Sequence, residues 1–227
     1  MPGWKAMHPV KYAAASLLPE TCAITERLRE NDLVPFCHRP GHYDLSCHFY
    51  ARKESIMLNG TPVELPAMLM AREARAEAQK ACQAAHPGCT LISFGLNIPG
   101  PVKTNEELRR LFDDGLAAIE ELLHGLQTPA IAQFTHHAAT GDEALLAVQG
   151  EPGAIKAATT RLEETHPLGR LFDIDVLASD GHKLSRPVPR RCLLCDAQAQ
   201  ICARSRRHSV EALTTRIAAM LQDYFHN

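Results

Sequence analysis

The chain has 227 residues, 45% of them hydrophobic and 22% charged, with a formal net charge of -2. That length suits one sizeable domain with an appendage, and the charge excludes a chain that binds polyanions over its whole surface. No apolar run reaches the ~18 residues that span a bilayer, and the N-terminus lacks a signal-peptide pattern, so the sequence reads as cytoplasmic, with its eight cysteines reduced.

Residues 1–55 mix Pro, His, Cys and charge without periodicity and read as a poorly ordered or non-native N-terminal extension, with Met57 as an alternative start. Their cluster of Cys37, His38, His42, Cys47 and His48 fits no zinc spacing. The folded domain is expected over 56–227. A helix is predicted from Leu65 through Cys82, built from good helix formers and ended by His86-Pro87-Gly88. Leu91 to Pro99 alternates as a half-buried strand. Ile92, Phe94, Leu96 and Ile98 share one face; Ser93, Gly95 and Asn97 share the other. Lys103 follows a Pro-Gly-Pro turn. Thr104 and Glu107 suggest a capping box for a helix with Leu108, Leu111, Phe112, Ile119, Leu122 and Leu126 on its apolar stripe. Ile131–His137 and Ala144–Val148 read as two strands around a turn, and Pro152 opens a helix that ends near Thr165.

Then comes His166-Pro167-Leu168-Gly169-Arg170-Leu171-Phe172-Asp173-Ile174-Asp175-Val176. As a strand it sets Asp173 and Asp175 on one face, with Cβ atoms roughly 6–7 Å apart. Carboxylates that close repel each other unless a cation lies between them, and hard cations such as Mg2+ favour such oxygens. The order strand, helix, strand, strand, helix, strand predicts an α+β, ferredoxin-like (split βαβ) antiparallel sheet with helices on one face and the other face open. The first and last strands are then neighbours, so Ser93, Gly95 and Asn97 lie beside the two Asp residues. Gln133 and His137 join that face in one of two registers.

After a turn at Ser179–His182 the chain enters a Cys/Arg-rich loop, and a C-terminal helix closes the sequence. Cys192 and Cys195 form a CxxC pair that Cys202 and His208 could complete as a structural Zn2+ site. The alternative is buried thiols packing as small apolar groups. Arg170, Arg190 and Arg191 carry the forked donors that suit phosphate oxygens.

The segments Ser93-Phe94, Pro99-Gly100-Pro101 with Lys103, His166 through Val176, and Pro189-Arg190-Arg191-Cys192 through Cys202 and Arg204 to His208 resemble the apo-citrate lyase phosphoribosyl-dephospho-CoA transferases, also called citrate lyase holo-acyl-carrier-protein synthases. The resemblance makes 56–227 a transferase domain. It implies transfer of the phosphoribosyl-dephospho-CoA group from triphosphoribosyl-dephospho-CoA to a serine of the citrate lyase acyl carrier protein, with release of diphosphate. On that reading Asp173 and Asp175 hold Mg2+, and Lys103, Arg170, Arg190 and Arg191 hold the triphosphate. His166 is a candidate base, with His137 as a second; a structural turn role for His166 is the competing reading. The Asp-hydrophobic-Asp pattern also marks polymerase-β-type nucleotidyltransferases, but their upstream glycine pair is represented here by Gly169 alone. A rival reading is a zinc-stabilised nucleic-acid-binding module using the Cys/Arg loop.

Overall fold

The computed structural model describes residues 5–6 and 58–226. The described residues belong to one compact unit. The expectation for 1–55, including its Cys/His cluster, falls outside the described residues except for Lys5–Ala6.

The elements are β1 (Lys5–Ala6), α1 (Leu65–Ala85), β2 (Thr90–Leu96), α2 (Glu106–Gly125), β3 (Ala130–Ala138), β4 (Gly141–Val148), α3 (Pro152–Thr165), β5 (Phe172–Leu177), α4 (Ala199–Arg204) and α5 (Val210–His226). The sheet order is β1-β3-β4-β2-β5, with every neighbouring pair antiparallel. β2 lies between β4 and β5, so the first and last strands of the predicted set are neighbours. Ser93 pairs with Asp175 and Gly95 with Asp173.

One face of the sheet carries Ile92, Phe94, Ala144, Leu146, Ile174 and Val176. These are buried with Leu108, Leu111, Phe112 and Ile119 of α2, Ile155 of α3, and Ile217 and Leu221 of α5. The α2 stripe follows the 3.6-residue period, except that Leu126 lies beyond the helix as its C-cap and is exposed. The expected capping box does not form. Asn105 caps α2 by accepting the Leu108 N–H at 2.8 Å, while the Thr104 hydroxyl turns to Asp142 at 3.3 Å. Asn accepts such a bond as well as Thr does, and the helix simply starts one residue later.

The sheet's other face is not open, which corrects the expectation of helices on one side only. α1 lies across it and buries Ala78 and Cys82 against Leu91, Leu145, Ala147 and Leu177. The physical reason is that β4 is apolar on both faces, so its second face also needs a cover. Small side chains on α1 allow the close approach. Gln133 and His137 take the α2 face. Gln133 donates to Glu120 at 2.7 Å, and the His137 ring meets Phe112 edge-on.

Gly115 sets how closely α2 meets the sheet. A Cβ there would stand 2.6 Å from Phe94 Cζ and 2.9 Å from Phe172 Cε1. Ala normally stabilises a helix interior by about 1 kcal/mol relative to Gly, but overpacking costs about 1–3 kcal/mol. Gly115→Ala is therefore expected to lower stability in urea denaturation; a gain would mean that the two rings relax freely.

Candidate active site

β5 is an edge strand, and its outward backbone groups find side-chain and loop partners. Ile174 N–H donates to Glu163 Oε1 at 3.1 Å, and Lys156 Nζ donates to the Ile174 carbonyl at 2.9 Å. Val176 O accepts from Leu184 N at 2.9 Å. Lys156 and Glu163 are seven residues apart on α3, about two helical turns, so both reach the same strand. Both are buried. Burial pulls the Lys156 ammonium down, against the pull of Glu163 and Asp175. Burial likewise pushes the Glu163 carboxyl up, opposed by Arg190, the Ile174 N–H, Arg186 and Lys156. Arg190 makes a direct ion pair with Glu163 Oε1, and Arg186 Nε stands 3.7 Å from Oε2.

Asp173 and Asp175 flank Ile174 and point away from the α2 core. Their side chains are 50% and 28% exposed, so both can be reached from solvent. Lys183 Nζ stands 2.5 Å from Asp175 Oδ2, and Arg190 Nη1 stands 3.9 Å from Asp173 Oδ1. Across β2, Glu143 pairs with Gly95 and accepts from Arg75 Nε of α1 at 2.8 Å. Burial works against the Arg75 charge. Its bond to Glu143, together with the charges of Glu143, Asp173 and Asp175, more than offsets this and raises its pKa. The strip Asp173–Gly95–Glu143 is thus a row of alternating carboxylate, bare backbone and carboxylate, with cations on both flanks. Gly95 leaves it open, since a Cβ would meet only Asp142 O, at 3.4 Å.

Two recesses lie side by side here, one of them lined by the carboxylates. One, of about 610 Å3, is lined by Asp173, Asp175, Lys156, Lys183, Arg186 and Arg190 among others. The second, of about 650 Å3, is lined by Leu171, Leu193, Leu213 and Ile217 with Arg170 and Arg206. They share Asn97, Ala199 and Ala203. A chamber lined by Lys and Arg next to one lined mainly by aliphatic side chains suits an elongated ligand with a phosphorylated end.

The expected site residues do not all converge. Asp173, Asp175 and Arg190 come together, and Ser93 lies beside them but is buried under Gln79, which donates to its hydroxyl at 3.0 Å. Asn97 leaves the strand and lines both recesses. Arg170 holds the carbonyl of Arg191 and faces the apolar chamber. Arg191 is exposed, 3.8 Å from Asp196. Lys103 donates to the Ile98 carbonyl at 2.6 Å and lines neither recess; burial and Arg72 lower its pKa. His166 sits in the turn after α3. Its Nδ1 accepts from Leu168 N at 3.1 Å, and its ring packs against Phe172 and Tyr224. These contacts tie the turn to β5 and α5. His137 is paired with Asp142 at 3.1 Å on the α2 side of the sheet. Cys192, Cys195, Cys202 and His208 do meet. Sequence reasoning missed Lys156, Glu163, Arg75, Glu143 and Lys183. For Lys156 and Glu163 there was a signal: charged residues beside Ile155 and Thr159 on the buried stripe of α3.

Paired carboxylates on a sheet, beside a cation-lined recess, have the chemistry that suits group transfer from a phosphorylated substrate. The sequence model of the family described as apo-citrate lyase phosphoribosyl-dephospho-CoA transferase matches residues 63–224. The chain is 42% identical over 167 residues to a Vibrio cholerae serotype O1 protein named "Probable apo-citrate lyase phosphoribosyl-dephospho-CoA transferase", covering 71% of this chain and 93% of that one. It is 39% identical over 165 residues to the Escherichia coli O1:K1 protein named as that transferase, covering 71% and 90%. The chain belongs to the apo-citrate lyase phosphoribosyl-dephospho-CoA transferase family. The nucleic-acid-binding alternative is not favoured. Among the described residues no helix is long and apolar enough to cross a membrane.

Removing the Glu163 charge should leave Arg190 with only the more distant Asp173 as an ion-pair partner. Breaking a buried pair costs about 3 kcal/mol, so Glu163→Gln is expected to lose roughly that in urea denaturation, and an unchanged midpoint would contradict the role given to it. Burial lowers the pKa of His166. The unfolded chain therefore binds its proton more readily, and the stability contributed by the neutral ring is complete above about pH 6.5 and lost as pH falls. The drop in melting temperature between about pH 7 and pH 5 should be smaller in His166→Asn, which keeps an acceptor for Leu168 N–H.

Proposed function

We propose that this chain transfers the phosphoribosyl-dephospho-CoA group from triphosphoribosyl-dephospho-CoA to a serine of the citrate lyase acyl carrier protein. The observation that carries the reading is the pair Asp173 and Asp175 on a braced edge strand, opening onto a recess lined with Lys and Arg, in a chain of this family. The serine Oγ forms a bond to a phosphorus of the triphosphate. The P–O bond to the departing diphosphate breaks, and its electron pair leaves on that diphosphate. The serine proton passes to solvent, and a phosphodiester remains.

Asp173 and Asp175 fit a Mg2+ site. Mg2+ is commonly held by one or two carboxylates plus waters and substrate phosphate, and these two oxygen donors share a face at the mouth of the recess. Bound there, Mg2+ would draw charge from the attacked phosphate and steady the leaving group. Lys183 is 61% exposed, so its ammonium can turn from Asp175 to a phosphate oxygen. Arg190 is anchored by Glu163 through one Nη and keeps the other toward Asp173, which fixes the direction of its free donors. Arg170 and the apolar lining of the second chamber suit the remainder of the donor. Lys103 lines neither recess and donates to the Ile98 carbonyl, and Arg191 is exposed beside Asp196. The acidic carrier expected for such systems would meet the basic loop at Arg191, Arg204 and Arg207.

The test is an incubation with apo carrier protein and triphosphoribosyl-dephospho-CoA, read by intact mass. The carrier should gain the mass of the group only with donor and divalent cation present. Asp173→Asn and Asp175→Asn should lower the rate by about 10³-fold, the scale of losing one charged contact to the transition state, while the protein still melts cooperatively. Equal labelling in both variants would overturn the two-carboxylate mechanism; a carrier never labelled would overturn the substrate.

A further inference from the structure

We propose that Cys192, Cys195, Cys202 and His208 bind one zinc ion as a closed structural site. Their four ligand atoms all lie within 4.8 Å of one another. The Cys195 and Cys202 sulfurs are 3.5 Å apart, and His208 Nε2 is 3.3 Å from Cys195 Sγ. Zn–S bonds of about 2.3 Å and Zn–N bonds of about 2.0 Å in a tetrahedron put ligand atoms roughly 3.5–3.8 Å apart. The shortest pairs are already at that separation, and the longest needs to close by about 1 Å. Cys₃His is a complete donor set, and it leaves no open position for water or substrate. The ion is therefore a brace rather than a reagent, and the inference stands whether or not the transfer reading is right.

The surroundings favour a bound cation. Leu194 N–H points at Cys192 Sγ from 3.5 Å, the kind of donor that orients a ligating thiolate. The four ligands come from three pieces of chain, which are also tied by a few backbone bonds, Cys192 N–H to Ala197 O at 2.7 Å, Ala199 N–H to Arg190 O at 2.8 Å and Arg207 N–H to Cys202 O at 3.1 Å. Cys192 and Cys195 belong to the irregular loop, Cys202 to the six-residue α4, and His208 to the link before α5. Arg206 in that link has φ 49°, a left-handed conformation that a non-glycine residue adopts at a cost. It turns the chain so that His208 comes back to Cys195. In such a segment the free energy of metal binding is folding free energy. The same loop carries Arg190 into the carboxylate recess and Leu193 into the wall of the apolar chamber, so the ion would hold one side of both.

The test is the zinc content of the full chain, purified under reducing conditions from zinc-supplemented cells and measured by mass spectrometry of the metal. His208→Ala and Cys195→Ser should each hold one zinc equivalent fewer than the parent. His208→Cys, which keeps four ligands, should retain it, as should Cys82→Ser and Cys89→Ser. Difference counting is needed because Cys37, His38, His42, Cys47 and His48 could take up metal independently. If a variant fails to accumulate, a thiol-reactive mercurial added to the parent should release zinc and lower its melting temperature. No zinc released from the parent would overturn the site. So would an equivalent kept by both His208→Ala and Cys195→Ser, or a Cys195–Cys202 disulfide in the reduced preparation.

Discussion

Everything at this site depends on how the backbone of Ile174 is held. An edge strand presents unpaired N–H and C=O groups, and a buried group without a partner costs about as much as a lost hydrogen bond. Here two side chains from one helix supply both partners, Glu163 for the N–H and Lys156 for the carbonyl. Because side chains alternate along a strand, fixing Ile174 also fixes the carboxylates on either side of it. Burying a carboxylate and an ammonium is expensive. Arg190 offsets part of that cost, and in doing so it is itself aimed at Asp173. One buried network thus ties α3, the edge strand and the basic loop to the same few ångströms of space.

The rest of the fold leaves that space accessible. α1 covers the apolar part of the sheet's second face with Ala78 and Cys82, and it ends its cover at Arg75 on Glu143. Beyond that point Gly95 exposes bare backbone between Asp173 and Glu143. The two chambers differ in their charged groups because they draw on different elements. The strand edge and loop give charged groups to one, and α5 with the loop gives aliphatic groups to the other.

The parts legible in the sequence were those set by short-range pattern. Alternation placed β2 and β5 and set Asp173 and Asp175 on one face, and the order of elements put β2 beside β5. The helical stripe of α2 was readable for the same reason. What could not be read depended on contacts between distant segments. The unbroken apolar run Ala144 to Val148 signals that β4 needs a cover on both sides, but that α1 supplies the second cover shows only in its packing against Ala147 and its cross-strand partner Leu91. The cationic residues were recognisable as a set, but their partners divided them. Arg190 reaches the site because Glu163 holds it, whereas Arg191, next in sequence, faces solvent. Lys103 is spent on a carbonyl, and His166 on its own turn. The CxxC pair and its candidate partners Cys202 and His208 were visible as a set, and the four meet across the left-handed turn at Arg206.

The most direct measurement is hydrogen exchange at the Ile174 amide, followed by NMR in the parent and in Glu163→Ala under conditions where both are folded. If Glu163 braces the carboxylate strand, the Ile174 amide should lose most of its protection in the variant while the Ile92 and Leu146 amides of the inner strands keep theirs. Unchanged protection at Ile174 would contradict the account, because the strand would then be held without the group assigned to hold it.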